Sequence, residues 1–70
     1  MKATITTKNG TTVSGHVTFV GSHTIALDAK LTAKEVDELA KEEASISSNF
    51  LKSWHVNIPR RIIETYELAD

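Results

Sequence analysis

The sequence predicts a mostly β domain of the α+β class: five antiparallel strands ordered β-β-β-α-β-β, with a helix inserted between the third and fourth. Three observations predict it. Runs rich in Thr, Val, Ile and Phe flank Asn9-Gly10, the apolar alternation changes to a helical period at Thr32, and alternation returns at Trp54.

In the first strand Ala3, Ile5 and Thr7 fall on one face and Lys2, Thr4 and Thr6 on the other. Asn9-Gly10 is the dipeptide that best supplies positive φ at both positions of a two-residue hairpin turn. Beyond it Val13, Gly15, Val17 and Phe19 share a face, with Ser14, His16 and Thr18 opposite, so one face is core and the other wet. Gly15 at the centre of the apolar face has two readings. It permits a strong bend or the close approach of another backbone, or it marks an ordinary bulge. A long strand bent there serves two sides of a small barrel. Val20-Gly21-Ser22-His23 then turns the chain into a third strand, Thr24 to Asp28, with Ile25 and Leu27 inward.

Thr32-Ala33-Lys34-Glu35 fits a capping box, with Leu31 and Val36 at staple spacing, and a helix is expected from about Ala33 to Ala44 within an insertion of about residues 32–45. Val36, Leu39, Ala40 and Ala44 make a narrow apolar stripe. Lys34/Glu38 and Asp37/Lys41 are opposite-charge pairs at i,i+4, and Glu35, Asp37, Glu38, Glu42 and Glu43 read as a solvated face. Residues 45–53 have two readings: Asn49 caps a short turn carrying Phe50 and Leu51, or the stretch begins an extended segment.

Trp54, Val56 and Ile58 alternate with His55 and Asn57, and Pro59 should end that strand because it lacks a ladder donor. Arg60-Arg61 connects to a last strand, Ile62 to Leu68, with Ile62, Tyr66 and Leu68 on one side. No repeat, linker or low-complexity tract divides residues 1–70, which read as one domain.

For a chain of 7.7 kDa, size scaling gives about 4,300 Å² of folded surface against about 11,200 Å² unfolded. Burial then contributes roughly 100 kcal/mol, and ordering the chain at ~1.5 kcal/mol per residue costs about the same. The isolated monomer is expected to be marginal. With no Cys for disulfides or thiolate metal sites, self-association into a homo-oligomer is the remaining source of stability.

The net charge of −1 excludes a protein that holds nucleic acid by bulk positive charge. Any basic face must be local: residues 54–70 carry two Arg against three acids. No charged segment leads into an apolar one at the start, and no apolar run nears the ~20 residues of a membrane span. A cytoplasmic chain with no membrane partner is expected. His16, His23 and His55 stand at no known ligand spacing, no nucleophile elbow organises the serines, and no Gly-rich phosphate loop occurs. The residues therefore predict no enzyme, no metal and no cofactor.

The run Asn9-Gly10-Thr11-Thr12-Val13-Ser14-Gly15-His16-Val17, then Phe19, then Thr24-Ile25-Ala26-Leu27, resembles the first motif of Sm-like proteins, a family that includes bacterial Hfq-like RNA chaperones. Val56-Asn57-Ile58-Pro59-Arg60-Arg61-Ile62-Ile63-Glu64-Thr65 is similar to the second motif, two short strands around a tight turn. Together these cover about half the chain. Three departures stand beside them: no helix precedes the first strand, residues 29–53 are long for the variable connection, and Gly21 stands where the family often has Asp.

The resemblance implies a bent five-stranded barrel whose fourth and fifth strands pair between subunits into a ring. It also implies single-stranded RNA contacts from Ser22 and His23 in one loop and Arg60 and Arg61 in another, by phosphate pairing and base stacking. The rival reading is a protein-interaction or assembly module that forms a homodimer or receives a partner strand, with no nucleic-acid role.

Overall fold

The computed structural model describes residues 1–48 and 53–70. Among them, six strands and one helix run in the order β1 (Lys2–Thr7), β2 (Thr12–Val20), β3 (Thr24–Ala29), α1 (Ala33–Lys41), β4 (Ser45–Ser48), β5 (Trp54–Pro59) and β6 (Ile63–Ala69). A 3-10 turn, Arg60–Ile62, joins the last two strands. The strands form one antiparallel sheet of spatial order β4-β5-β3-β2-β1-β6. The fold is therefore mostly β with a single helix, as the alternation predicted.

Two expectations about the sheet are corrected. The strand count rises from five to six, because Ser45–Ser48 lies extended along β5 from Ser45↔Asn57 to Ser48↔Trp54. The sheet is also open, since β4 and β6 are its two edges and no ladder joins them among the described residues. The alternative of a turn capped by Asn49 lies outside the described residues.

Strand β2 is shared between two halves of the sheet. Thr12 to His16 pair with β1, and His16 to Val20 pair with β3. Gly15 sits at the changeover in regular register with Ala3. A Cβ there would lie 2.2 Å from the Asp28 carbonyl oxygen, so the glycine permits close backbone approach, and the bulge lies elsewhere.

The bulge falls between Val17 and Phe19. Val17 pairs with Leu27 but Phe19 pairs with Ala26, so the skipped Thr18 reverses the alternation. Phe19, expected on the core face, is turned outward and is 57% exposed. The first hairpin also differs from expectation. Gly10 N–H donates to the Thr7 carbonyl at 2.9 Å and Thr7 N–H to the Thr11 carbonyl at 2.8 Å. Gly10 takes φ +89° while Asn9 does not enter the left-handed region. The loop is thus a three-residue turn with glycine at a bulge, not the two-residue form.

The capping box forms as predicted. Thr32 N–H donates to Glu35 Oε1 at 2.9 Å, and Glu35 N–H to Thr32 Oγ1 at 3.2 Å. The helix ends at Lys41 rather than Ala44, because Glu43 adopts φ 72°. Glu43 N–H then reaches the Ala40 carbonyl and Ala44 N–H the Leu39 carbonyl, a Schellman ending with glutamate in the usual glycine place.

The core gathers Ala3, Ile5 and Val13 from β1 and β2 with Ile25, Leu27, Val56 and Ile58 from β3 and β5. Leu39 and Ala44 close it from the helical side, so α1 packs on its own sheet. Val36 is half-buried, whereas Ala40 of the expected stripe is exposed. Of the two expected helical ion pairs only Asp37–Lys41 forms, at 3.1 Å. No helix among the described residues is long and apolar enough to cross a membrane.

Candidate nucleic-acid interface

The β2–β3 loop and the turn after Pro59 meet because Thr24 pairs with Pro59, the last rung between β3 and β5. Gly21 N–H donates to the Thr24 carbonyl at 2.9 Å and closes the loop, while Arg60 N–H donates to the His23 carbonyl at 2.8 Å. Residues distant in sequence thereby share one surface.

Arg60 holds that surface together. Its Nε donates to the Gly21 carbonyl at 2.7 Å, its Nη1 to Tyr66 Oη at 3.2 Å, and its guanidinium carbon lies 5.3 Å from the centre of the Tyr66 ring. A guanidinium over an aromatic face contributes about 0.5–1 kcal/mol where exposed. On the other side of the loop, the Phe19 ring lies against Gly21, where an added Cβ would come within 2.4 Å of its Cε2. Tyr66, 41% exposed, lies against the half-buried Arg60, and Phe19, 57% exposed, lies against Gly21, whose carbonyl accepts from Arg60.

Of the four residues predicted from sequence, Ser22 and His23 are exposed in the loop beside Arg60. Arg61 does not join them. Its Nη2 pairs with the Glu43 carboxylate just beyond α1. Consecutive residues of a tight turn point apart, and the carboxylate is on that other side.

Phe19 and Tyr66 were not predicted as site residues. Tyr66 pairs with buried Ile5 and Leu68 with buried Ala3, so both follow the expected face, but an edge strand leaves them only partly covered. For Phe19 no signal in the sequence marks the bulge that turns it out.

Two of the three histidines, His16 and His55, flank Asp28. His55 Nδ1 stands 3.0 Å from Asp28 Oδ1 across β3 and β5, and His16 pairs with Asp28 across β2 and β3. His23 lies instead beside the start of β3. Among the described residues no three His, Cys, Asp or Glu side chains are arranged to hold a metal ion.

Comparison of the chain with protein families, with curated proteins and with solved structures finds no match.

Proposed function

We propose that this chain is a non-catalytic binding module that takes single-stranded RNA, or another single-stranded nucleic acid, on the surface formed by Phe19, Ser22, His23, Arg60 and Tyr66. The observation that carries the reading is the exposed Tyr66 ring against Arg60, with the exposed Phe19 ring beside Gly21, whose carbonyl accepts from Arg60. An unstacked base gains about 1–3 kcal/mol by stacking on an aromatic side chain, a contribution separate from phosphate charge. That suits a chain of net charge −1. Ser22 supplies a hydroxyl and His23 an imidazole at the rim, and Arg61, engaged by Glu43, contributes little.

The same reading includes self-assembly. Among the described residues no strand pairs with the outer edge of β4 or of β6, which favours strand addition. In the Sm-like pattern β5 and β6 would pair between subunits, but β4 covers the outer edge of β5. Assembly of the bent, barrel-like subunits therefore joins β6 of one copy to β4 of the next.

Fluorescence-anisotropy titration of labelled oligoadenylate and oligouridylate tests the binding, at low and moderate salt. Phe19→Ala and Tyr66→Ala should each weaken binding by roughly 5- to 150-fold, the range that loss of one stacked base implies. Absence of binding by the native chain at low salt would end the proposal.

One observation favours the rival, a homodimeric assembly module: β6 presents Tyr66 and Leu68, 41% and 40% exposed, beside its free edge. Light scattering separates the two. A dimer that ignores both oligonucleotides selects the rival.

A further inference from the structure

The tip of the first hairpin and the end of α1 enclose a groove apart from the aromatic surface. Two adjoining clefts form it. One, of about 330 Å³, is lined by Lys8, Asn9, Lys41, Glu42, Glu43 and Ile62. The other, of about 430 Å³, shares Asn9, Lys41 and Glu42 and adds Glu38 and the hairpin tip.

Glu42 lines both clefts, yet it is only 8% exposed. Its Oε2 is buried with no hydrogen-bond partner among the described residues. A carboxylate oxygen without a donor in such a place is destabilising, and an apolar residue of similar size would suit the fold better. Expected on a solvated face, Glu42 is instead brought inward by its position one helical step beyond Leu39, at the cap of α1.

The charges around the groove decide what would complement it. Glu43 is taken by Arg61, and Lys41 by Asp37. Glu38 and Glu42 remain against the single ammonium of Lys8, an excess of negative charge. The three carboxylates here do not form a cluster able to hold a metal ion, whereas a nitrogen cation needs one charged acceptor and a groove for its alkyl chain.

We propose that this groove binds an organic cation bearing a primary ammonium or guanidinium group, with the Glu42 carboxylate as its counter-ion. Rotation about the side-chain torsions of Glu42 turns its carboxylate toward the groove, so that the orphaned oxygen gains a donor when the cation binds. Ile62 and the stem of Lys41 flank the alkyl chain, and Glu38 adds a second negative charge at the rim. This site is independent of nucleic-acid binding.

The test is an NMR titration of the full chain with n-butylammonium and n-butylguanidinium, at constant ionic strength. The neutral isostere 1-butanol and magnesium chloride are the controls. Saturable shifts are expected at the amides of Lys8–Thr11 and Glu42–Ala44 and at the Glu42 carboxylate carbon. Glu42→Gln should weaken the response at least tenfold, and Glu38→Gln by a smaller factor. The carboxylate carbon of the native chain gives the answer even if the Glu42 variant does not fold. Equal shifts with butanol or magnesium would overturn the assignment, as would no movement of that carbon because Lys8 already occupies it.

Discussion

A methyl group on Gly15 would stand 2.2 Å from the carbonyl oxygen of Asp28, a backbone atom that cannot swing aside. The contact marks where β2 passes from β1 to β3. Gly15→Ala should therefore cost about 1–3 kcal/mol through forced backbone shifts. Urea unfolding measures it, and a change below about 0.5 kcal/mol would show that the two strands are not so close. Gly21→Ala is the control, because its added methyl meets only the exposed Phe19 ring and the Thr24 carbonyl at 3.3 Å.

The end of α1 gives a second expectation. Glu43 holds a left-handed conformation at φ 72°, which costs a non-glycine residue about 1–2 kcal/mol. Both Glu43→Gly and Glu43→Ala lose the exposed pair with Arg61, worth about 0–1 kcal/mol. Only the glycine variant relieves the backbone, so it should be the more stable of the two by about 1 kcal/mol. Equal midpoints in denaturant would count against the Schellman ending.

The capping box predicts a pH dependence. The Thr32 backbone N–H, followed by its hydroxyl, holds the Glu35 carboxyl below the ordinary glutamate range. A depressed folded pKa favours the folded state above the unfolded value of about 4.3. That contribution is lost as pH falls through the lowered folded value. Carboxylate NMR should show Glu35 titrating below the ordinary glutamate range in the native chain. In Thr32→Ala the surviving backbone bond should leave part of the depression, and an unchanged Glu35 curve would refute the hydroxyl's share.

Arg60 and Arg61 should behave differently although adjacent. Arg60 makes a charge-assisted bond to the Gly21 carbonyl at 2.7 Å, of a kind worth about 1.5–3 kcal/mol, so Arg60→Ala should lower stability by about that much and weaken oligonucleotide binding. Arg61→Ala should change stability by less than about 1 kcal/mol, as an exposed ion pair implies. Arg60→Lys should not restore the native state, since an ammonium lacks the fork that spans Gly21 and Tyr66. Equal losses for the two alanine variants would remove Arg60 from the centre of the site.

Local pattern was enough for most of the elements. Period-2 alternation marks β1, β3 and β5, a reciprocal Thr–Glu cap starts α1, and a missing N–H ends β5 at Pro59. These features depend on neighbours a few residues apart. Ser22, His23, Arg60 and Arg61 are named by the resemblance to Sm-like proteins, not by local pattern.

What the pattern missed depends on residues far apart in the chain. The skipped residue at Thr18 arises from the pairing of β2 with β3, and it turns Phe19 from core to surface. The edge position of β6 exposes Tyr66, and the inward side of the α1 C-cap, one turn beyond buried Leu39, buries Glu42. Parity along a strand and phase along a helix say which residues share a side. Only the assembled neighbours decide whether that side is covered, and by what.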